Sequence, residues 1–147
     1  MGAAEAYIEP VTDRFTPATL AEIERIEQLM GARLPKFYAD FLRKFGPCMF
    51  HGHATIADRE GERYEVHTLF GALGDDVHSV EYNLQRHPEY RRGGFVPIAD
   101  DRRGNRYLMD VRRDGAIHFM DQDVHHVRGY RIAESFEDFL GRIEVQP

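Results

Sequence analysis

Residues 19–46 read TLAEIERIEQLMGARLPKFYADFLRKFG, and the reading of this stretch decides the fold class. Thr19 with Glu22 three residues on has the spacing of a capping box, in which each side chain satisfies an amide that the first helical turn leaves unpaired. Leu20, Ile23, Ile26, Leu29 and Met30 follow at three- and four-residue steps, so one face of a helix is apolar. Thr16-Pro17 announces this helix, and Gly31 suits the left-handed residue that ends it. After Leu34, Pro35 is expected at the first position of a second helix, whose stripe is Phe37, Tyr38, Phe41, Leu42 and Phe45. Gly46-Pro47 closes it, so two helices come first with no strand between them.

The middle of the chain changes period. Residues 49–56 and 64–70 alternate in part and flank the turn-like Asp58-Arg59-Glu60-Gly61, which reads as an antiparallel pair. Asp75 or Asp76 is expected to cap a helix carrying Val77, Val80, Tyr82 and Leu84, stopped near His87-Pro88. Residues 95–99, 107–111, 116–120 and 127–132 are short apolar segments bounded by Gly, Asp or Asn, a meander of four strands. Ser135 with Asp138 then caps a final helix bearing Phe136, Phe139, Leu140 and Ile143. This order is not the alternating pattern of a parallel sheet. The expectation is an α+β fold: a mainly antiparallel twisted sheet of about six strands, with two N-terminal helices, one middle helix and a C-terminal helix around it. Residues 1–147 read as a single domain with its core at about 17–144 and a short N-terminal extension.

The composition, 42% apolar, 12% aromatic and 30% charged, is that of a packed globular chain. No stretch reaches the ~20 apolar residues of a membrane span, and MGAAEAYIEP lacks the basic start and apolar core of a signal peptide. Ala6 stands where a myristoylation motif needs Ser or Thr. The lone Cys48 has no internal disulfide partner, which suits a reducing compartment. A cytoplasmic protein is expected. The formal net charge of −6 repels phosphate backbones and anionic lipid, so neither nucleic acid nor membrane is an expected partner. Arg91-Arg92 and Arg102-Arg103 lack interleaved aromatics and read as solvated turns.

Several of these segments together carry a resemblance. Leu20-x-x-Ile-Glu-x-Ile-Glu through Gly31, Leu34-Pro35-x-Phe-Tyr-x-x-Phe-Leu and Phe45-Gly46 are similar to the N-terminal signature of the SUKH superfamily, the Smi/Knr type. Phe95-Val-Pro-Ile-Ala-Asp100, Gly104-Asn105-x-Tyr107-x-x-Asp110, a strand ending near Asp121, and Ser135-Phe136-x-x-Phe139-Leu140 follow in that family's order. The resemblance implies an α+β sheet wrapped by helices. It also implies a bacterial immunity protein that binds and neutralises a cognate toxin; the alternative it offers is a Smi/Knr-like regulatory or scaffold module. A shared fold hosts different roles, so function has to come from surfaces.

The candidate partner-binding residues are Asp75, Asp76, Asp100, Asp101, Asp110, Asp121 and Asp123, which gather in turns and at strand ends. On one rim they would steer a basic partner, such as a nuclease toxin domain, to the surface. The competing reading is that Asp suits turns and keeps the chain soluble. His51 and His53, two apart on an expected strand, would face one side, and His125-His126 lie near Asp121 and Asp123, but no recognised metal-ligand spacing is present. No metal or other cofactor is expected. There is no Gly-x-Ser-x-Gly elbow, phosphate loop or dinucleotide fingerprint. Asp100 and Asp101, adjacent on a strand, would point to opposite faces, and Cys48 reads as a buried small hydrophobe. The chain is expected to be non-catalytic, a monomer or weak homodimer that works by binding another protein.

Overall fold

Both ends of the first helix form as the sequence specifies. In the computed structural model, which describes residues 7–10, 17–72, 77–122 and 130–147, α1 (Leu20–Met30) starts at Thr19. The Thr19 hydroxyl accepts from the Glu22 amide at 3.2 Å, and the Glu22 carboxylate accepts from the Thr19 amide at 2.9 Å. Gly31 ends the helix at φ 65°, a left-handed geometry that a Cβ disfavours. The second helix, α2 (Lys36–Lys44), buries Tyr38, Phe41 and Leu42. Pro35 stands one residue earlier than expected, as the cap with ψ 140°, and its carbonyl accepts from the Ala39 amide at 3.0 Å.

The fold is α+β, with more strands than expected. A seven-stranded antiparallel sheet has the order β1-β2-β5-β6-β7-β8-β9, and a separate three-stranded sheet has the order β10-β3-β4. The strands are β1 (Ile8–Pro10), β2 (Cys48–Phe50), β3 (His53–Ala57), β4 (Arg63–Glu65), β5 (Thr68–Leu69), β6 (Phe95–Asp100), β7 (Arg106–Asp110), β8 (Ile117–Met120), β9 (Tyr130–Ala133) and β10 (Glu144–Gln146). The expected antiparallel pair is thus two pairs. Its outer halves, β2 and β5, join the large sheet, while its inner halves, β3 and β4, pair in the small one. Gly52 makes the break. At φ 130°, a Cβ there would lie 2.6 Å from the Gln146 carbonyl oxygen of β10, so the chain needs glycine to turn from one sheet to the other.

The middle helix also differs. Ser79 caps α3 (Val80–Arg86), its hydroxyl accepting from the Tyr82 amide at 3.1 Å; Asp75 and Asp76 lie outside the described residues. Val77 precedes the helix and is exposed. Pro88 stops α3 as expected but also begins a second short helix, α4 (Pro88–Gly93), because a missing N–H costs nothing at a helix start. The last helix, α5 (Phe136–Arg142), is capped by Ser135, which accepts from the Asp138 amide at 3.0 Å.

The centre of the large sheet is covered on both faces. On one, α3 and α4 pack against β6, and Asn83 of α3 accepts from Arg106 Nε at 2.8 Å. On the other, the Tyr107 ring lies 5.2 Å from both Phe119 and Phe139, and Phe136 of α5 meets Tyr38 and Phe41 of α2. Pro97 sits in the interior of β6, where the register shifts between Pro97 and Ala99; a bulge accommodates the missing ladder donor. Tyr107 and Arg142 are among the side chains that stitch the sheets together. The Tyr107 hydroxyl donates to the Glu65 carbonyl at 2.6 Å, and Arg142 donates to the carbonyls of Ile132 and Ala57. No helix among the described residues is long and apolar enough to cross a membrane.

Candidate functional site

The two stitched sheets leave a cleft between β4 and the facing ends of β8 and β9, and two tight turns build its walls. In the β3–β4 turn, Asp58 Oδ1 accepts from the amides of Glu60 and Glu62, each at 2.9 Å, and Oδ2 accepts from the Tyr64 hydroxyl at 3.1 Å. Such side-chain-to-backbone bonds are why Asp favours turns. In the β6–β7 turn, Asp101 Oδ1 accepts from the amides of Arg103 and Asn105, and Oδ2 from the Asn105 side chain, all at 2.9 Å. Asn105 in turn accepts from the Gln122 amide at 2.9 Å, which ties this turn to the end of β8.

The cleft has a volume of about 630 Å³ and is open to solvent on one side. Its apolar part is aromatic: the Tyr64 ring rests 4.9 Å from Phe119, and Tyr130 lines the opening with 67% of its surface exposed. Partial burial first, then Asp58, Glu62 and Tyr130, push the Tyr64 phenol up to about 12. Six carboxylates and two guanidiniums share the lining, a strongly negative balance for one cleft. They are not equivalent. Asp58 and Asp101 are committed to their turns, and Glu65 accepts from the Arg102 amide and pairs with Arg102 and His53. Glu60 and Glu62 are exposed and carry no ion pair among the described residues.

Of the seven aspartates singled out from sequence, the cleft brings together Asp101 and Asp121. Asp75, Asp76 and Asp123 lie outside the described residues, as do His125 and His126. Asp100 ends β6 beside β5, where it accepts from the Thr68 amide at 3.1 Å and approaches His67 at 3.9 Å. Burial raises its pKa, against the opposing pull of Arg106, His67 and His78. Asp110 sits at the far end of β7, 4% exposed and bonded to Arg113 at 2.9 Å. The described aspartates therefore do not share one rim, because Asp100 and Asp110 face inward at opposite ends of the central strands. Asp100 and Asp101 do not converge: one serves a strand pair and the other a turn.

Sequence reading passed over Glu60, Glu62, Glu65, Tyr64, Phe119 and Tyr130. A signal for the first lies in the acidic turn Asp58-Arg59-Glu60-Gly61, which from sequence reads only as a connection, and Glu62 follows directly after it. His51 and His53 do not act together, since Gly52 turns the backbone between them; His51 faces Glu9 at 3.4 Å and His53 faces Glu65 at 3.7 Å. Among the described residues no group of three or more His, Cys, Asp or Glu is arranged to hold a metal. Cys48 is fully buried at the start of β2, and burial pushes its thiol up to about 12.

The model of the SMI1 / KNR4 family (SUKH-1) matches residues 17–142. The chain belongs to this family. The SUKH-1 span takes in α1 to α5 and the strands β2 to β9, and with them every described residue that lines the cleft; β1 and β10 fall outside it. The chain is also similar to the SPbeta prophage-derived uncharacterized protein YokK of Bacillus subtilis (strain 168), at 26% identity over 88% of this chain and 76% of YokK.

Proposed function

We propose that this SUKH-1 chain is a non-catalytic protein-binding domain, an immunity protein that binds and neutralises a cognate bacterial toxin, and that the cleft is where the toxin docks. The observation that carries the reading is the cleft itself: an aromatic floor under a rim where Glu60 and Glu62 carry no ion pair among the described residues. Such a surface attracts a basic domain over a distance and gives it flat apolar area to dock on. The immunity role implied by the SUKH resemblance supports the same partner. The non-catalytic reading draws on Asp58 and Asp101, whose oxygens are taken up by turn amides, a tyrosine hydroxyl and an asparagine. A cytoplasmic site of action, against a toxin that reaches the cytoplasm, completes the proposal.

The test is the double variant Glu60→Lys with Glu62→Lys. Both residues lie on an exposed turn, so thermal stability is expected to stay near wild type. Association with the toxin at low salt is expected to slow by roughly one to two orders of magnitude, and protection of cells from the toxin is expected to fall with it. An unchanged on-rate would remove the cleft from the account. Several unrelated partners and no protection would move the chain to the regulatory or scaffold role.

A further inference from the structure

We propose that the aromatic part of the cleft, Tyr130 and Tyr64 above Phe119, seats the side chain of one arginine of the partner. The inference rests on the protein-binding reading and names the chemistry of its anchor. Tyr130 is 67% exposed, the most open of the large apolar side chains among the described residues, yet it stands at the mouth of a cleft lined by further rings. Tyr130 is the cross-strand partner of Phe119, the ring that Tyr64 packs against, and all three line the same cleft. Tyr64 is held from two sides: its ring lies 4.9 Å from Phe119 at 47°, and its hydroxyl donates to Asp58 Oδ2 at 3.1 Å. A phenol that donates to a carboxylate has a more electron-rich ring, which strengthens the attraction of its face for a cation.

The cleft's own cations are largely diverted. Arg63 is bonded to Glu144 and Thr55, and neighbouring Arg102 is paired with Glu65. Arg103 is exposed on the β6–β7 turn and adds a repulsive charge that the carboxylates outweigh. A guanidinium fits this environment better than an ammonium. It is planar and weakly hydrated, stacks on a tyrosine face, and still directs N–H groups to carboxylates such as Glu62 at the edge of the ring. A lysine ammonium is a compact, strongly hydrated charge that leaves the flat rings uncovered.

The experiment uses two pentapeptides, Gly-Gly-Arg-Gly-Gly and Gly-Gly-Lys-Gly-Gly, with blocked ends, titrated into the full chain at low salt while NMR follows the Tyr64 and Tyr130 ring signals. The arginine peptide is expected to bind saturably and roughly five- to tenfold more tightly than the lysine peptide. Tyr130→Leu is expected to abolish that preference, and Tyr130→Phe, which keeps the ring face, to retain it. Equal binding of both peptides, no saturable binding, or shifts that leave Tyr130 unmoved would overturn the arginine seat. Those outcomes are separable from failure of the docking reading, which is judged by toxin association of the Glu60→Lys, Glu62→Lys variant.

Discussion

Asp101 spends both carboxylate oxygens on its own turn, accepting two amides and the Asn105 side chain, and it is nearly buried while doing so. Removing it leaves those donors without their partner, which costs more than the bonds themselves contribute in water. Asp101→Ala is therefore expected to lower unfolding free energy by about 2–3 kcal/mol, measured by urea denaturation, before any effect on binding is considered. Asp100 makes the opposite prediction. Burial raises its folded pKa, so the folded state holds the proton more tightly than the unfolded chain does. Its contribution to stability is full below the unfolded value, about 3.9, and is lost as pH rises through the raised folded value. Asp100→Asn keeps an acceptor for the Thr68 amide and removes that loss. Its melting temperature should exceed wild type at neutral pH, with the gap closing below about pH 4; a gap independent of pH would refute the assignment. Both aspartates were visible in the sequence as acidic turn residues. What was not visible is that each faces inward, because inward direction depends on the strand that comes to lie alongside.

At the scale of elements, what was legible follows from what each signal depends on. The ends of α1 and α5 depend on residues three apart, Thr19 with Glu22 and Ser135 with Asp138, and both caps form. The β6–β7 and β7–β8 hairpins likewise follow from local turn residues. The division into two sheets depends on Gly52 meeting β10 more than ninety residues later, and nothing local announces that encounter. The strands β1 and β10 have three residues each, too few to display a period. Gly52→Ala places a Cβ against the Gln146 carbonyl and forces an unfavourable φ. It is expected to cost at least about 2 kcal/mol and to release β10 amides to hydrogen exchange ahead of β7 amides. Tyr107→Phe tests the stitch between sheets. Loss of its bond to the Glu65 carbonyl should cost about 1–2 kcal/mol in a urea melt, with the ring packing against Phe119 and Phe139 preserved.

Across the whole molecule, net charge argues against phosphate backbones and anionic lipid, and the aspartates at turns and strand ends suggest a basic partner without saying where it would dock. A charge of −6 spread evenly gives solubility; the same charge focused between low-dielectric walls gives steering. The focusing arises because the turn at 58–62, the turn at 101–105, Asp121 and Tyr130 converge from four separate parts of the chain. Sequence reading found two members of this group, Asp101 and Asp121. It does not single out Glu60 and Glu62, which carry no ion pair among the described residues, since a glutamate in a turn looks the same whether it faces open solvent or a cleft. The most direct measurement is capture from the source organism by tagged wild-type protein and by the Glu60→Lys, Glu62→Lys variant, at low and high salt, with identification of what is retained. The account predicts one basic, toxin-like protein held by wild type at low salt, released by high salt, and absent from the variant. Retention of the same protein by both forms at both salt concentrations would contradict it.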